Sequence, residues 1–375
     1  MKSFQLLMPL ALLLLFSCKG EKKSQQSAET VVKDTIVKAD KPLPPLVAED
    51  VFLKDKDPFG EVVELKGENI VPDTTIFRIG GCHALIKGDR MVMRNRTRNH
   101  CFMLWNYPEL TLRKYAGVRG NGPGEFSFTT LIETPDTASL CYVYNATTDM
   151  YRMDKEGNLH PYPSLFSHLP KKYNYVFLES IVNISPDNFY YIGETRKGKA
   201  IMQARRVNDL TEIKEICNLA FDPKFKSPFR YIGDFAVDPS RKWMVYAYKY
   251  FKLIKFMDID GQNVRTLNFQ QKGFDDGSLK IANGLDTNVT HYWGICPQKD
   301  YVYCIYSGRT PMEVGREAAK KDYYMYIEQY DWGGNPIRKY KLDRWGYFTV
   351  DEARHTLYVF STNDDDPFFV FRLPE

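Results

Sequence analysis

The stretch Phe235-Ala-Val-Asp-Pro-Ser-Arg-Lys-Trp-Met-Val-Tyr-Ala-Tyr248 contains two short apolar runs separated by a proline turn. Runs of this length, rich in Val and Tyr and bounded by turn residues, predict two antiparallel β-strands. Segments 84–89 and 347–352 fit the first run and its turn without a proline. The full pattern recurs around Pro135, Pro186 and Pro297. Together with Pro239, these prolines follow one another at intervals of 51, 53 and 58 residues. The sequence therefore contains six copies of one unit.

Each copy continues with two more predicted strands. A third strand ends in an Asx/Gly turn, as in Phe256-Met-Asp-Ile-Asp-Gly261, which is a strong hairpin signal. A fourth strand follows, for example Asn263-Val-Arg-Thr-Leu267. Four antiparallel strands in about 50 residues, repeated six times, predict an all-β, six-bladed β-propeller over residues 60–375. An open β-sandwich or two separate β domains is the competing interpretation.

The last copy lacks a fourth strand, because the chain ends two residues after Phe368-Phe-Val-Phe-Arg-Leu373. The segment Glu61-Val-Val-Glu-Leu65 has the composition of a strand and belongs to no copy. We expect it to complete the last blade, since pairing the two ends of the chain closes the ring and removes an exposed edge.

Composition limits the functions open to this chain of 375 residues. The formal net charge of +4 is far from the charge density of proteins that bind by neutralising phosphates, so nucleic acid is not an expected partner. Aromatic residues make up 14% of the chain and concentrate in the second and third strands, where packing between blades needs broad, flat side chains. Six cysteines follow Cys18 without any C-x-x-C spacing, which favours free thiols over a zinc site.

The N-terminus has the pattern of an export signal. Residues 1–17 combine Lys2 with a mostly apolar run that is too short to span a bilayer. The run ends in Leu15-Phe16-Ser17-Cys18, which resembles the bacterial lipobox, and this resemblance implies that Cys18 is lipidated and becomes the mature N-terminus. The alternative is an ordinary signal peptide with a chance cysteine. Residues 18–59 are predicted to be a flexible tether, and the protein is expected to be lipid-anchored in the bacterial cell envelope, facing either the periplasm or the outer surface.

A loop between the first two copies carries a family resemblance. Its sequence, Gly120-Asn-Gly-Pro-Gly-Glu-Phe126, resembles the G-x-G-P-G-E-F signature of the NHL-like and TolB-like six-bladed propellers, and 331–343 is similar to their penultimate blade. The resemblance covers about residues 60 to 375 and implies an envelope lipoprotein of a Gram-negative bacterium. It implies no reaction, because one fold hosts many functions.

The predicted long loops all lie on one face, around the mouth of the central channel. Long loops on a rigid scaffold tend to carry function. The insertion 311–321 has a helical composition and is a candidate lid, and the loops bring basic residues that point to an anionic or polyhydroxylated ligand. Solvated loop charges without a specific role are the alternative. The rim candidates are Arg96, Arg98, Lys197 and Arg309.

Residues at the starts of the innermost strands are expected to line the channel mouth, and we select His83, Thr130, Glu179, Asp234, His291, Tyr292, Trp345 and Tyr347. No cofactor is predicted. A ring of two histidines and two carboxylates, as in the calcium-dependent lactonase propellers that this fold resembles, would nevertheless suit a divalent metal such as calcium. Its members would be His83, Glu179, Asp234 and His291. The same ring is equally consistent with the hydrogen-bonded plug of an inert channel.

The sequence thus favours a membrane-anchored, monomeric binding or scaffold module whose rim and channel meet a glycan, a peptide or an envelope protein. The alternative is a hydrolase or lyase, similar to the lactonases, that uses a metal or a polar ring in the channel.

Overall fold

The computed structural model describes residues 46–54, 57–70, 79–95, 99–145, 149–166, 176–195, 198–222, 224, 227–280, 287–361 and 363–375, without the side chains of 79–83, 176–180 and 279–280. Three short strands come first along the chain: β1 (Glu49–Phe52), β2 (Val63–Leu65) and β3 (Glu68–Asn69). Six antiparallel sheets follow in strict chain order. These sheets are the blades, and they confirm the predicted six-bladed β-propeller.

The strands of the first three blades run from the centre of the ring outwards. Blade one contains β4 (Ile79–Lys87), β5 (Arg90–Asn95), β6 (His100–Asn106) and β7 (Thr111–Val118). Blade two contains β8 (Thr129–Ile132), β9 (Ser139–Asn145), β10 (Asp149–Asp154) and β11 (Leu159–Tyr162). Blade three contains β12 (Val176–Ser185), β13 (Asn188–Thr195), β14 (Gly198–Val207) and β15 (Leu210–Asn218).

The other three blades repeat this order. Blade four contains β16 (Gly233–Asp238), β17 (Trp243–Tyr248), β18 (Leu253–Asp258) and β19 (Arg265–Asn268). Blade five contains β20 (Thr290–Pro297), β21 (Tyr301–Arg309), β22 (Met325–Asp331) and β23 (Pro336–Leu342), with the helix α1 (Pro311–Ala319) between β21 and β22. Blade six contains β24 (Gly346–Asp351), β25 (Thr356–Ser361) and β26 (Phe368–Arg372). Short 3-10 helices occupy Pro228–Tyr231, Asp276–Lys280 and Glu352–Arg354.

The hydrophobic core is divided among the seams between neighbouring blades. Each of six clusters of buried side chains joins two adjacent blades, and one of them joins blade six to blade one. Strand β13 shows how this happens: Tyr191 packs towards blade two, whereas Tyr190 packs towards blade four. Successive side chains of a strand point to opposite faces of the sheet, so both faces of each blade need large apolar residues. This arrangement accounts for the high aromatic content.

Residues 46–54 and 57–69, here called the N-terminal strap, cross the outer edges of three blades. Strand β1 pairs in parallel with β19 of blade four, and β2 pairs in parallel with β23 of blade five. Strand β3 then pairs antiparallel with β26 and supplies the missing fourth strand of blade six. The predicted closure by an N-terminal strand is confirmed, but the strand is Glu68–Asn69 and not 61–65. Residues 49–52, which the sequence assigned to the tether, form a strand on blade four.

The strap covers a cluster of buried charges in the seam between blades four and five. Glu328 is fully buried, and its Oε1 lies 3.3 Å from Lys339 Nζ and 4.0 Å from Lys252 Nζ. Its Oε2 accepts hydrogen bonds from the hydroxyls of Tyr292 at 2.8 Å and Tyr330 at 2.7 Å. These charges can be buried together because the carboxylate of Glu328 lies beside the ammonium groups of both lysines.

The strap completes this cluster with a second carboxylate. Asp57 Oδ2 lies 2.7 Å from Lys339 Nζ. Burial disfavours the charge on Lys339, but the carboxylates of Glu328 and Asp57 outweigh it and raise the pKa of this lysine. Lys252 lies farther from Glu328, and burial lowers its pKa. We therefore define the buried charge cluster as Asp57, Lys252, Glu328 and Lys339.

Five cysteines fall among the described side chains, and all five are free thiols. Cys18 lies outside the described residues, and the side chain of Cys82 is not described. No helix in the described part of the chain is both long enough and apolar enough to cross a membrane.

Candidate functional site

The start of each inner strand marks one face of the propeller, called the rim face. The chain segments that lead into the inner strands lie on this face. Because neighbouring strands of a blade are antiparallel, the connections between second and third strands lie on it too. The connection from β21 to β22 is the one that carries α1, the single α-helix among the described residues. The sequence predicted this insertion as a lid.

Local signals explain why α1 forms. Thr310 caps the helix: its Oγ1 accepts a hydrogen bond from the backbone N–H of Glu313 at 3.2 Å, and the Glu313 carboxylate accepts one from the backbone N–H of Thr310 at 2.8 Å. Pro311 occupies the first turn, where no backbone donor is needed. Val314 and Ala318 lie one turn apart and face a cavity, whereas Met312 is 46% exposed. The helix therefore forms one wall of a pocket.

This cavity, the rim pocket, has a volume of about 350 Å³ and lies between α1 and the inner strands of the fifth and sixth blades. Residues from blades four, five and six line it because their strands end at the same face. The lining consists of Lys249, Thr290, Trp293, Ser307, Arg309, Pro311, Val314, Gly315, Ala318, Trp345 and Asn363.

Aromatic rings form the apolar side of the rim pocket opposite the helix. The indoles of Trp293 and Trp345 are stacked, with ring centroids 5.1 Å apart and an interplanar angle of 17°. Tyr347 lies 5.4 Å from Trp293, measured between ring centroids. Rigid aromatic groups of this kind present a large contact area at a small entropic cost.

Arg309 connects the aromatic wall to the helix. Its guanidinium carbon lies 3.7 Å from the ring centroid of Tyr324 and 5.4 Å from that of Trp345. One terminal nitrogen donates to the carboxylate of Glu317 on α1, and the other donates to the carbonyl oxygen of Tyr324 at 2.6 Å. Arg309 is 8% exposed, and the carboxylate of Glu317 compensates its buried charge. The ion pair with Glu317 fastens α1 over the pocket.

The central channel contains a second, smaller cavity of about 100 Å³. All six inner strands contribute to it, and its wall is mostly apolar. Glu133 lines this cavity together with apolar residues such as Ile86, Val182 and Ala236. The Glu133 side chain keeps exposed surface in this cavity. The protein around it disfavours its charged form and raises its pKa, while the charge of Lys87 acts in the opposite direction.

The residues predicted for the channel mouth separate into three groups. Trp345 lines the rim pocket and Tyr347 adjoins it. Thr130 is buried and Asp234 is half-buried, and neither lines the channel cavity or the rim pocket. The third group lies in the seam between blades four and five: His291 and Tyr292 are each 1% exposed.

Burial decides what His291 can do. Desolvation, with a contribution from the nearby Lys252, lowers the pKa of His291 to about 4, so the imidazole is neutral at pH 7. Tyr292 is held by Glu328 in the buried charge cluster. Neither side chain lines the channel cavity or the rim pocket.

Of the four members of the expected calcium ring, the structure describes the side chains of Asp234 and His291. His291 is buried in the seam, and the side chains of His83 and Glu179 lie outside the described ones. Among the described side chains there is no group of three or more His, Cys, Asp or Glu residues arranged to hold a metal ion.

Of the predicted rim residues, Arg309 lines the rim pocket, and Arg96, Arg98 and Lys197 lie outside the described residues. Sequence reasoning did not select Lys249, Ser307 or Val314 for the site. A usable signal existed for two of them, because Lys249 and Ser307 each directly follow the predicted second strand of their copy, which ends at Tyr248 or Tyr306. Both positions therefore lie at the rim face of neighbouring blades.

Comparison with known proteins agrees with this architecture. The family model described as TolB-like 6-blade propeller-like matches residues 68–353, well over half of the chain. No curated protein matches the sequence.

Two solved structures share the fold. A member of the DUF4221 family from Bacteroides vulgatus is 14% identical, with a TM-score of 0.54 over 83% of this chain and 98% of that one. A protein from Bacteroides fragilis, described as a predicted exported protein, is 11% identical, with a TM-score of 0.54 over 87% of this chain and 100% of that one. At these identities the similarity supports the fold alone.

Proposed function

We propose, on the premise that the chain belongs to the TolB-like six-bladed propeller family, that it is a binding module which holds a ligand in the rim pocket. The observation that carries this proposal is the rim pocket itself: a cavity of about 350 Å³ with one helical wall, one aromatic wall and polar groups between them. Ligand sites in proteins are typically concave, mostly apolar and equipped with a few convergent polar groups. The ligand is a small molecule, or one residue of a glycan, a peptide or an envelope protein.

The same geometry supports a lid role for α1. The helix has no buried residue, and its contacts to the blades include the ion pair between Arg309 and Glu317. An element with so few buried contacts opens more readily than the strands around it. Movement of α1 would admit the ligand while the propeller stays rigid.

Blocking the pocket tests the proposal. Val314→Arg places a long charged side chain into the cavity, and Met312→Arg places the same side chain on the exposed face of the same helix. In titration calorimetry of the full chain with a panel of envelope oligosaccharides and short peptides, we expect at least one compound to bind. Val314→Arg should weaken that binding by about tenfold or more, a loss of about 1.4 kcal/mol.

The Met312→Arg variant is the matched control, because it has the same charge and nearly the same position. It should bind within about twofold of the unmodified protein, as expected for an exposed residue outside the contact. If no compound binds, or if both variants bind as the unmodified chain does, the rim pocket is not the binding site.

We further propose that the propeller is attached to the membrane of the cell envelope through a lipid on Cys18. The lipobox-like sequence that ends at Cys18 supports this location. Cys18→Ala should move the protein from the membrane fraction to the soluble fraction of lysed cells, and Cys82→Ala should leave it in the membrane fraction. Membrane association that survives Cys18→Ala would exclude the lipid anchor.

A further inference from the structure

We infer that the rim pocket selects an amphipathic organic anion, namely a compact apolar body that carries one carboxylate. This inference rests on the proposed function and adds the chemical class of the ligand. Three properties of the lining lead to it: its shape and polarity, its charge, and its unpartnered hydrogen-bond donors.

The apolar part of the ligand follows from the two walls. Val314 and Ala318 on α1 lie on one side, and the stacked indoles of Trp293 and Trp345 lie on the other. A volume of about 350 Å³ suits a ligand of a single ring or a short branched chain and does not suit several sugar residues. A body that fills this space gains mainly from the apolar surface that it buries.

The charge of the ligand follows from Lys249. Among the described residues, the lining contains two basic side chains and no Asp or Glu. Arg309 is compensated by Glu317, but Lys249 forms no ion pair with any residue that the structure describes. A single uncompensated ammonium group in a partly enclosed cavity favours an anion and disfavours a cation.

The identity of the anionic group follows from donors that have no acceptor. Within the described part of the protein, Arg309 Nε, Trp293 Nε1 and Ser307 Oγ are buried atoms without a hydrogen-bond partner. Arg309 is 8% and Ser307 is 3% exposed, so leaving these donors unpaired is costly. Arginine and indole nitrogens only donate, and a carboxylate only accepts. A carboxylate therefore matches both the charge of Lys249 and this set of donors.

The carboxylate has two sources that share this chemistry: a free organic acid, or the C-terminus of a peptide that ends in an apolar residue. Titration calorimetry of the full chain with 3-phenylpropionate tests the first source, and the peptide Gly-Gly-Gly-Phe with a free or an amidated C-terminus tests the second. The control ligands are the uncharged 3-phenylpropanamide and the cationic 3-phenylpropylamine, which have the same apolar body as 3-phenylpropionate. We expect at least one carboxylate to bind about tenfold or more tightly than its amide, because a charge-assisted contact is lost in the amide.

Two variants identify the residues responsible. Lys249→Gln and Ser307→Ala should each reduce the preference for carboxylate over amide to about threefold or less, and the amide should bind as before. Lys320→Gln is the matched control, because Lys320 is exposed, follows α1 directly and does not line the pocket. It should retain the full preference. Circular dichroism melting curves identify variants that have lost the fold.

The outcomes separate this inference from the proposed function. Equal binding of carboxylate and amide, preference for the amine, or a preference that survives Lys249→Gln overturns the anion selectivity. Failure of every phenyl probe overturns it as well, and the pocket would still be the binding site if a glycan or peptide binds and is lost in Val314→Arg. If no binding of any kind depends on Val314, both proposals fail.

Discussion

Glu328→Ala should lower the free energy of unfolding by about 3–5 kcal/mol, the cost expected when one partner of a buried ion pair is removed. Glu328 is fully buried and compensates Lys339 and, more weakly, Lys252. Its removal also leaves the hydroxyls of Tyr292 and Tyr330 without their acceptor. Two lysines would then share the single carboxylate of Asp57 in a seam that excludes water. Urea unfolding followed by tryptophan fluorescence measures the loss.

Glu212→Ala is the control for this prediction. Glu212 is exposed on β15, so the same truncation should change the stability by less than about 0.5 kcal/mol. Glu328→Ala combined with Lys339→Met should be less destabilised than the sum of the two single variants, since the charge left unpaired by the first change is removed by the second. A loss of less than about 1 kcal/mol in Glu328→Ala would mean that water hydrates the lysines and that the seam is not dry.

Phe59→Ala should destabilise the propeller by about 3 kcal/mol, at the lower end of the range for a buried phenylalanine. Phe59 belongs to the N-terminal strap, is 8% exposed and contacts Tyr330 edge to face at 5.2 Å between ring centroids. It packs beside the buried charge cluster, with Lys339 Nζ 5.8 Å from its ring. The variant should also expose the strap to protease, because this side chain holds the strap in the seam.

Phe52 provides the matched control within the same strap. It lies in β1 and is 58% exposed, so Phe52→Ala should change the stability by less than about 0.5 kcal/mol and should not alter cleavage. Limited trypsin digestion followed by mass spectrometry locates the cleavage. If Phe59→Ala is as stable and as resistant as Phe52→Ala, the strap does not contribute to the stability of the propeller.

The fold was predictable because its signals are local and repeated. The turn after the inner strand and the hydrophobic second strand recur six times, and four of the six turns contain a proline. The closing strand was misassigned for a physical reason. Both 61–65 and 68–69 belong to the strap, and which of them meets β26 depends on the route of the strap across the blade edges.

The site was predictable only in part. Arg309, Trp345 and the insertion that forms α1 were found because they lie at strand ends or in a long loop on the rim face. His291 and Tyr292 were assigned to the channel by the same argument, but the pairing of β20 with β21 shifts on both sides of Tyr292. Such irregularities redirect side chains, and these two are buried in the seam.

By itself, the sequence determined the number of blades, the face that carries the long loops and the need for aromatic residues in every seam. These features follow from short-range patterns that each blade repeats. Only the tertiary structure decided that Lys249, Ser307 and Trp345, from three different blades, line one cavity, and that Glu328 and Asp57 share the same lysine. Those contacts depend on how neighbouring blades are set against each other, and side-chain positions across a seam leave no periodic trace in the chain.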